Sequence, residues 1–180
     1  NAYYEKTGVP VVAISASRGS SSLNGWLNSG RKEEAADRLN AAKECLKKEK
    51  IRARHIYMVW FQGEADANLE TPGDEYQTML RQLVDDMEEQ GVEDCFLIQL
   101  GPDLTDLTRH QEIMDAQLQI CEKNEDIVLV STLPAELTGA DMKDEGGIHF
   151  TQKALNLIGE DAGKNAGEYV KEHGAEKESQ

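Results

Sequence analysis

The chain has 180 residues, with 34 acidic against 19 basic side chains and a formal net charge of −15. That length suits a single domain. The charge argues against nucleic acid or an anionic membrane as partner, since both require clustered Lys and Arg. No apolar run reaches the roughly 20 residues that span a bilayer, although hydrophobic residues make up 39 % of the chain, enough for a core.

In chain order, Asn1 to Gly8 reads as the end of a helix with its glycine stop rather than as a natural N-terminus, and no signal peptide is visible. Four short apolar runs rich in β-branched residues follow, at 9–15, 55–61, 95–100 and 126–131. Each is continuous rather than alternating, as expected of strands buried on both faces of a parallel sheet. Helical patterns lie between and after them. Residues 33–48 carry the stripe Ala36, Leu39, Ala42, Cys45 and Leu46. Residues 74–90 carry Tyr76, Met79, Leu80, Leu83, Val84 and Met87, a strongly amphipathic spacing. Residues 105–123 give a third helix through Ile113, Met114, Gln117, Leu118 and Cys121. Residues 151–172 give a fourth through Leu155, Ile158, Ala162, Tyr169 and Val170. Strand–helix alternation of this kind implies an α/β fold, a three-layer α/β/α arrangement around a mostly parallel sheet. Residues 1–172 read as the C-terminal portion of a single domain, and 173–180 as a polar, frayed tail.

Cys45, Cys95 and Cys121 are widely spaced, with no CxxC pair. This describes neither a disulfide framework nor a zinc site, and it leans toward a reducing, cytoplasmic compartment without deciding between that and secretion. No metal-ligating pattern, calcium loop or phosphate-binding glycine loop is present, so neither metal nor cofactor is expected. Asp141, Asp144 and Glu145 read as a solvated acidic loop.

Two blocks carry chemistry. Trp60-Phe61-Gln62-Gly63-Glu64-Ala65-Asp66 directly follows the apolar run His55-Ile56-Tyr57-Met58-Val59. It places an amide and a carboxylate at the carboxyl end of a strand, where open α/β sheets bind ligands. Gly146-Gly147-Ile148-His149-Phe150-Thr151 lies just before the last helix, and its glycines permit a tight turn and close backbone approach. His55, His110 and His173 have no comparable setting. A third, weaker block, Ser17-Arg18-Gly19-Ser20-Ser21-Ser22-Leu23-Asn24-Gly25-Trp26, follows the first apolar run.

Together these blocks resemble the later active-site blocks of SGNH-type esterases, and more narrowly the carbohydrate-esterase group of sialate O-acetylesterases and acetylxylan esterases. The resemblance implies a hydrolase that removes O-acetyl groups from sialic acid or xylan-type sugars by a Ser–His–acid mechanism. His149 is then the base. The superfamily's Asp three residues before the histidine is Gly146 here, so Glu64 is the first candidate for the orienting acid and Asp144 the second. Gly19 and Ser20 match the oxyanion-hole loop, with Ser20 in place of a second glycine, and the Gln62 amide adds a donor. Arg18, Trp26, Trp60 and Phe61 shape the sugar site, with Arg18 placed to pair with a sialate carboxylate. Phe61 stands where the group usually has His or Tyr. The family's Gly-Gln-Ser-Asn-like nucleophile block has no counterpart, and neither does a Gly-x-Ser-x-Gly elbow. The resemblance therefore implies that the first strand and its serine lie in a missing N-terminal segment or a separate chain. The alternatives are a non-catalytic carbohydrate-binding or interaction domain of the same fold, and an unrelated flavodoxin-like domain without a cleft uniting Gln62, Glu64 and His149.

Overall fold

The computed structural model describes residues 1–143 and 147–177, the last four by backbone alone. Helix α1 (Ala2–Thr7) closes on Gly8, whose φ of 71° is the left-handed stop expected from sequence. Residues 9–15 then run without regular structure, with Val11 and Val12 61 % and 60 % exposed. Helices α2 (Leu23–Asn28) and α3 (Arg31–Lys48) precede strand β1 (Tyr57–Trp60). Short α4 (Glu64–Asn68) and amphipathic α5 (Gly73–Glu88) lead to β2 (Asp94–Ile98). Helix α6 (Gln111–Lys123) leads to β3 (Ile127–Ser131). Two 3-10 turns, Leu133–Glu136 and Gly139–Asp141, precede the long α7 (Gln152–Lys177).

The three strands form a parallel sheet in the order β1-β2-β3. All five residues of the central strand β2 are buried, which is why it reads as a continuous apolar run. Cys95 and Leu97 join the core under α5 and α6, with Tyr76, Leu80, Leu83, Ile113 and Ile120. Phe96 and Ile98 face the other way, packing with Val130, Ile158, Ala162 and Ala166 beneath α7. Helix α1 lies on α7, where Gly163 and Gly167 allow close approach: a Cβ at Gly167 would stand 2.9 Å from the Lys6 Cβ.

Three expectations change. Residues 9–15 are not a strand, because no described strand pairs with the outer edge of β1, and an isolated strand leaves its backbone groups unsatisfied. Residues 105–110 are turns rather than helix. Asp103 Oδ1 accepts from Thr105 N at 2.8 Å, and Asp106 Oδ1 from Thr108 N at 3.2 Å, local bonds that compete with a helical ladder. The tail is helical to Lys177; residues 178–180 lie outside the described set. Sequence periodicity also missed α2 and α4, six and five residues long, which are too short to show a period. No described helix is long and apolar enough to cross a membrane.

Candidate active site

At the carboxyl end of β1 the backbone passes through Phe61, Gln62 and Gly63 into α4. Gly63 is wedged into the core: a Cβ there would lie 2.9 Å from both Ile113 Cγ2 and Leu100 Cδ2. This close approach turns the chain so that Phe61 and Glu64 border one open cleft of about 410 Å³. Lys143, Ile148, His149, Phe150 and Leu155 complete its lining. Glu64 and His149, 85 positions apart (149 − 64), are thus brought together.

The turn carrying His149 is pinned from three sides. Gly147 adopts φ 66° and presses on the loop after β2, so that a Cβ there would lie 2.8 Å from Leu104 Cβ. Leu104 N–H donates to Gly147 O at 3.2 Å. Lys143 N–H donates to His149 O at 2.6 Å, and Thr151 N–H to Asp141 O at 2.7 Å, on either side of an antiparallel bridge between Met142 and Phe150. Phe150 stacks with Phe61, ring centroids 6.3 Å apart. The imidazole of His149 is thereby carried on a turn fixed by main-chain bonds, at the carboxyl edge of the sheet. One Glu64 oxygen accepts from Gly63 N–H at 3.1 Å. Asp144, the other candidate acid, lies outside the described residues.

The 17–26 loop is built around a buried carboxylate. Asp66, fully buried, accepts from Leu23 N–H at 3.0 and 3.2 Å and from Gln62 Nε2 at 2.6 Å. Burial raises its pKa, opposed by bonds from Gln62, Leu23 and Thr71. Gln62 Nε2 also donates to Ser21 O at 2.8 Å. Both amide hydrogens of Gln62 are therefore committed to the loop. Its oxygen is buried and unpartnered among the described residues. Flipping the amide would set an oxygen against two acceptors, so this orientation is the favourable one. Ser21 Oγ donates to Arg18 O at 2.7 Å and accepts from Trp26 Nε1 at 2.9 Å. Gly19 and Ser20 form the exposed tip, with Ser20 at φ 54°. Sequence reading missed the bracing role of Asp66; its signal was an acid four residues after Gln62, on the short apolar stretch Ala65-Asp66-Ala67.

The residues expected to shape a sugar site separate. Phe61 lines the cleft. Trp26 and Trp60 are corrected to core residues, 7 % and 6 % exposed, packed edge to face with centroids 5.5 Å apart. Trp60 Nε1 donates to the hydroxyl of buried Tyr76 at 3.4 Å, so its polar atom is satisfied inside. Arg18 turns to α3 and pairs with Glu34 at 3.1 Å. Burial pushes the Cys121 thiol up to about 12 and the Cys95 thiol higher still, which removes both as thiolate nucleophiles. Among the described residues no group of three His, Cys, Asp or Glu is arranged to hold a metal ion.

A search of curated protein sequences finds no match. Among solved structures, the chain is similar to the psychrotrophic esterase EstA from Pseudoalteromonas sp., in a structure inhibited by monoethylphosphonate. The TM-score is 0.61 at 19 % identity, over 93 % of this chain and 83 % of that one. This likeness establishes a shared α/β fold. The family model described as "carbohydrate esterase, sialic acid-specific acetylesterase" matches residues 1–167. A match over nearly the whole length, on a fold shared with an esterase, places the protein: this chain belongs to the sialic acid-specific acetylesterase family of carbohydrate esterases.

Proposed function

We propose that this chain supplies the base, the orienting acid and the oxyanion loop of a serine-type acetylesterase acting on O-acetylated sugars. The observation that carries this reading is the meeting of Glu64 and His149, from distant parts of the sequence, in one cleft at the carboxyl edge of the sheet. In the proposed reaction a serine hydroxyl attacks the acetyl carbonyl. His149 takes its proton and passes it to the departing sugar alkoxide, leaving an acyl-enzyme that water then hydrolyses with His149 again as base. Glu64 holds the imidazole through the oxygen not bonded to Gly63. The backbone N–H groups of Gly19 and Ser20 receive the oxyanion. Gln62 contributes first by bracing that loop through Ser21 and Asp66; it donates to an oxyanion only by exchanging one of those bonds.

Among the described residues that line the cleft none is a serine, so the nucleophile is proposed to come from a strand beside β1. Chain handedness supports that place. Helix α3 packs on the α5 face of the sheet, and α1 on the α7 face. Right-handed crossovers through α3 and then, backwards, through α1 leave one strand position between residues 9–15 and β1. A strand there ends beside Phe61 and Glu64.

The test is hydrolysis of an acetyl ester by protein carrying that strand. His149→Ala is expected to lower kcat/KM at least about a thousandfold, and Glu64→Gln about a hundredfold or more. Unchanged rates in the His149 variant overturn the reading. The alternative is a sugar-binding domain of the same fold without catalysis. A fluorophosphonate probe separates the two, since only an activated serine takes up the adduct.

A further inference from the structure

We infer that Gln117 is a positioning residue of the proposed esterase: its buried side-chain amide sets the spacing between the strand end that carries Glu64 and the loop that holds the His149 turn. The inference rests on the esterase reading and adds to it a residue outside the cleft lining. Gln117 is fully buried and shares the inward face of α6 with Ile113, Met114 and Ile120. A leucine would suit that apolar face, and an amide there costs stability unless its polar atoms are bonded. They are. Gln117 Oε1 accepts from Leu100 N–H at 2.8 Å. Its Nε2 donates to Gln62 O at 2.8 Å and to the hydroxyl of buried Tyr76 at 2.9 Å. Tyr76 donates its own proton to Gln62 O at 3.2 Å. The reverse amide orientation would set an N–H against the Leu100 N–H, so the partners fix the assignment.

The two backbone groups belong to different strands. Strands β1 and β2 pair last at Trp60 and Leu97. Gln62 lies just beyond the end of β1, and Leu100 just beyond the end of β2. The Gln117 amide stands between the two chains where their ladder stops, accepting from one and donating to the other as a peptide group would. On the β1 side, Gly63 N–H donates to Glu64 at 3.1 Å, and Glu64 borders the cleft. On the β2 side, Gly101 abuts the histidine turn: a Cβ there would stand 3.0 Å from Phe150 Cζ. Leu104 N–H donates to Gly147 O at 3.2 Å. Acid and base thus each rest on a segment that starts at one side of the same amide. Apolar packing alone fixes such a spacing less narrowly, because a hydrogen bond has a defined length and direction. A misplacement on the order of 1 Å is enough to cost about a hundredfold in rate.

Amide hydrogen exchange on this chain tests the coupling without a nucleophile. Gln117→Met keeps the side chain's length and removes its amide. Exchange is referred to the amides of Cys95, Phe96 and Leu97 in β2, which report global opening. On that scale Leu100, Gly63 and Leu104 are expected to exchange at least about tenfold faster in the variant, the scale of one lost buried hydrogen bond. Ile120→Ala, on the same helix face but outside the polar network, controls for lost stability and should leave these ratios unchanged. Faster exchange on one side of the site only, no change, or the same change in Ile120→Ala overturns the inference. In protein carrying the serine-bearing strand, Gln117→Met should lower kcat about ten- to a hundredfold with KM within about twofold. Added to Glu64→Gln, it should cost no more than about a further twofold, since both act through one carboxylate. An unchanged kcat, or losses that multiply in full, also overturn it. Failure of the esterase reading is separate: hydrolysis that survives His149→Ala sinks that reading, while the exchange pattern still decides whether one amide holds both halves of the site.

Discussion

Gly147 and Ser20 hold the same region of backbone space with opposite consequences. Gly147, at φ 66°, has Leu104 against its Cα, so a side chain there is both strained and crowded. Gly147→Ala is expected to destabilise by about 2 kcal/mol or more from backbone strain plus overpacking, and to lower esterase activity with it, because the same turn carries His149. Ser20, at φ 54°, bears the strain already, on an exposed loop tip. Ser20→Gly is expected to be stabilising or neutral, within about 1 kcal/mol, since relief of left-handed strain is partly offset by the greater freedom of glycine in the unfolded chain. Urea unfolding of the two variants checks both signs. Of these two positions, Gly147 was legible as a tight-turn glycine, and Ser20 as a replaced family glycine. The contact with Leu104, 43 positions away (147 − 104), had no sequence signal.

Elements are joined at the site by polar atoms rather than by apolar stripes. Asp66 on α4 takes the first N–H of α2 and the Gln62 amide, which in turn holds Ser21. Burial penalises the charged carboxylate and raises its pKa above 3.8 in the folded state. The folded protein then binds this proton more readily than the unfolded chain. The group's contribution to stability is greatest at acid pH and declines as pH rises from about 4 through the raised folded value. Asp66→Asn is expected to cost about 1–3 kcal/mol, because an amide NH2 replaces one of two oxygens that face the donors Leu23 N–H and Gln62 Nε2. The gap between wild type and variant should narrow as pH rises through that window. Unfolding midpoints measured from pH 3.5 to 7 test the sign; a gap that widens with pH refutes it. The long helices were legible because their stripes span several turns. The helices α2 and α4 were not, because one turn and a half has no measurable period.

Across the whole molecule, the open edge of β1 is the dominant feature. Val59 is 64 % exposed, and Val9, Val11, Val12 and Ile14 are between 41 % and 61 % exposed. Such residues normally lie inside parallel sheets. Backbone amides of residues 11–15 are expected to exchange with solvent nearly as fast as unstructured chain, while those of β2 are protected by the full global stability. Adding the proposed serine-bearing strand should slow exchange in residues 11–15 and along β1 together. Fast exchange that persists once hydrolytic activity is present would place the strand elsewhere.

The family's later blocks, the alternation of strand and helix, three of four strands and the position of the histidine turn were written in local sequence. They depend on apolar period, glycine punctuation and residue type over fewer than twenty positions. Four things were decided only by tertiary structure. Trp26 and Trp60 went inward because their rings meet each other and Tyr76. Arg18 went to Glu34 because α3 lies beside its loop. Lys143 came to the cleft through a backbone bond to His149. Residues 9–15 have strand composition but no strand, because a parallel strand is defined by its neighbour's hydrogen bonds, and composition alone cannot provide a neighbour.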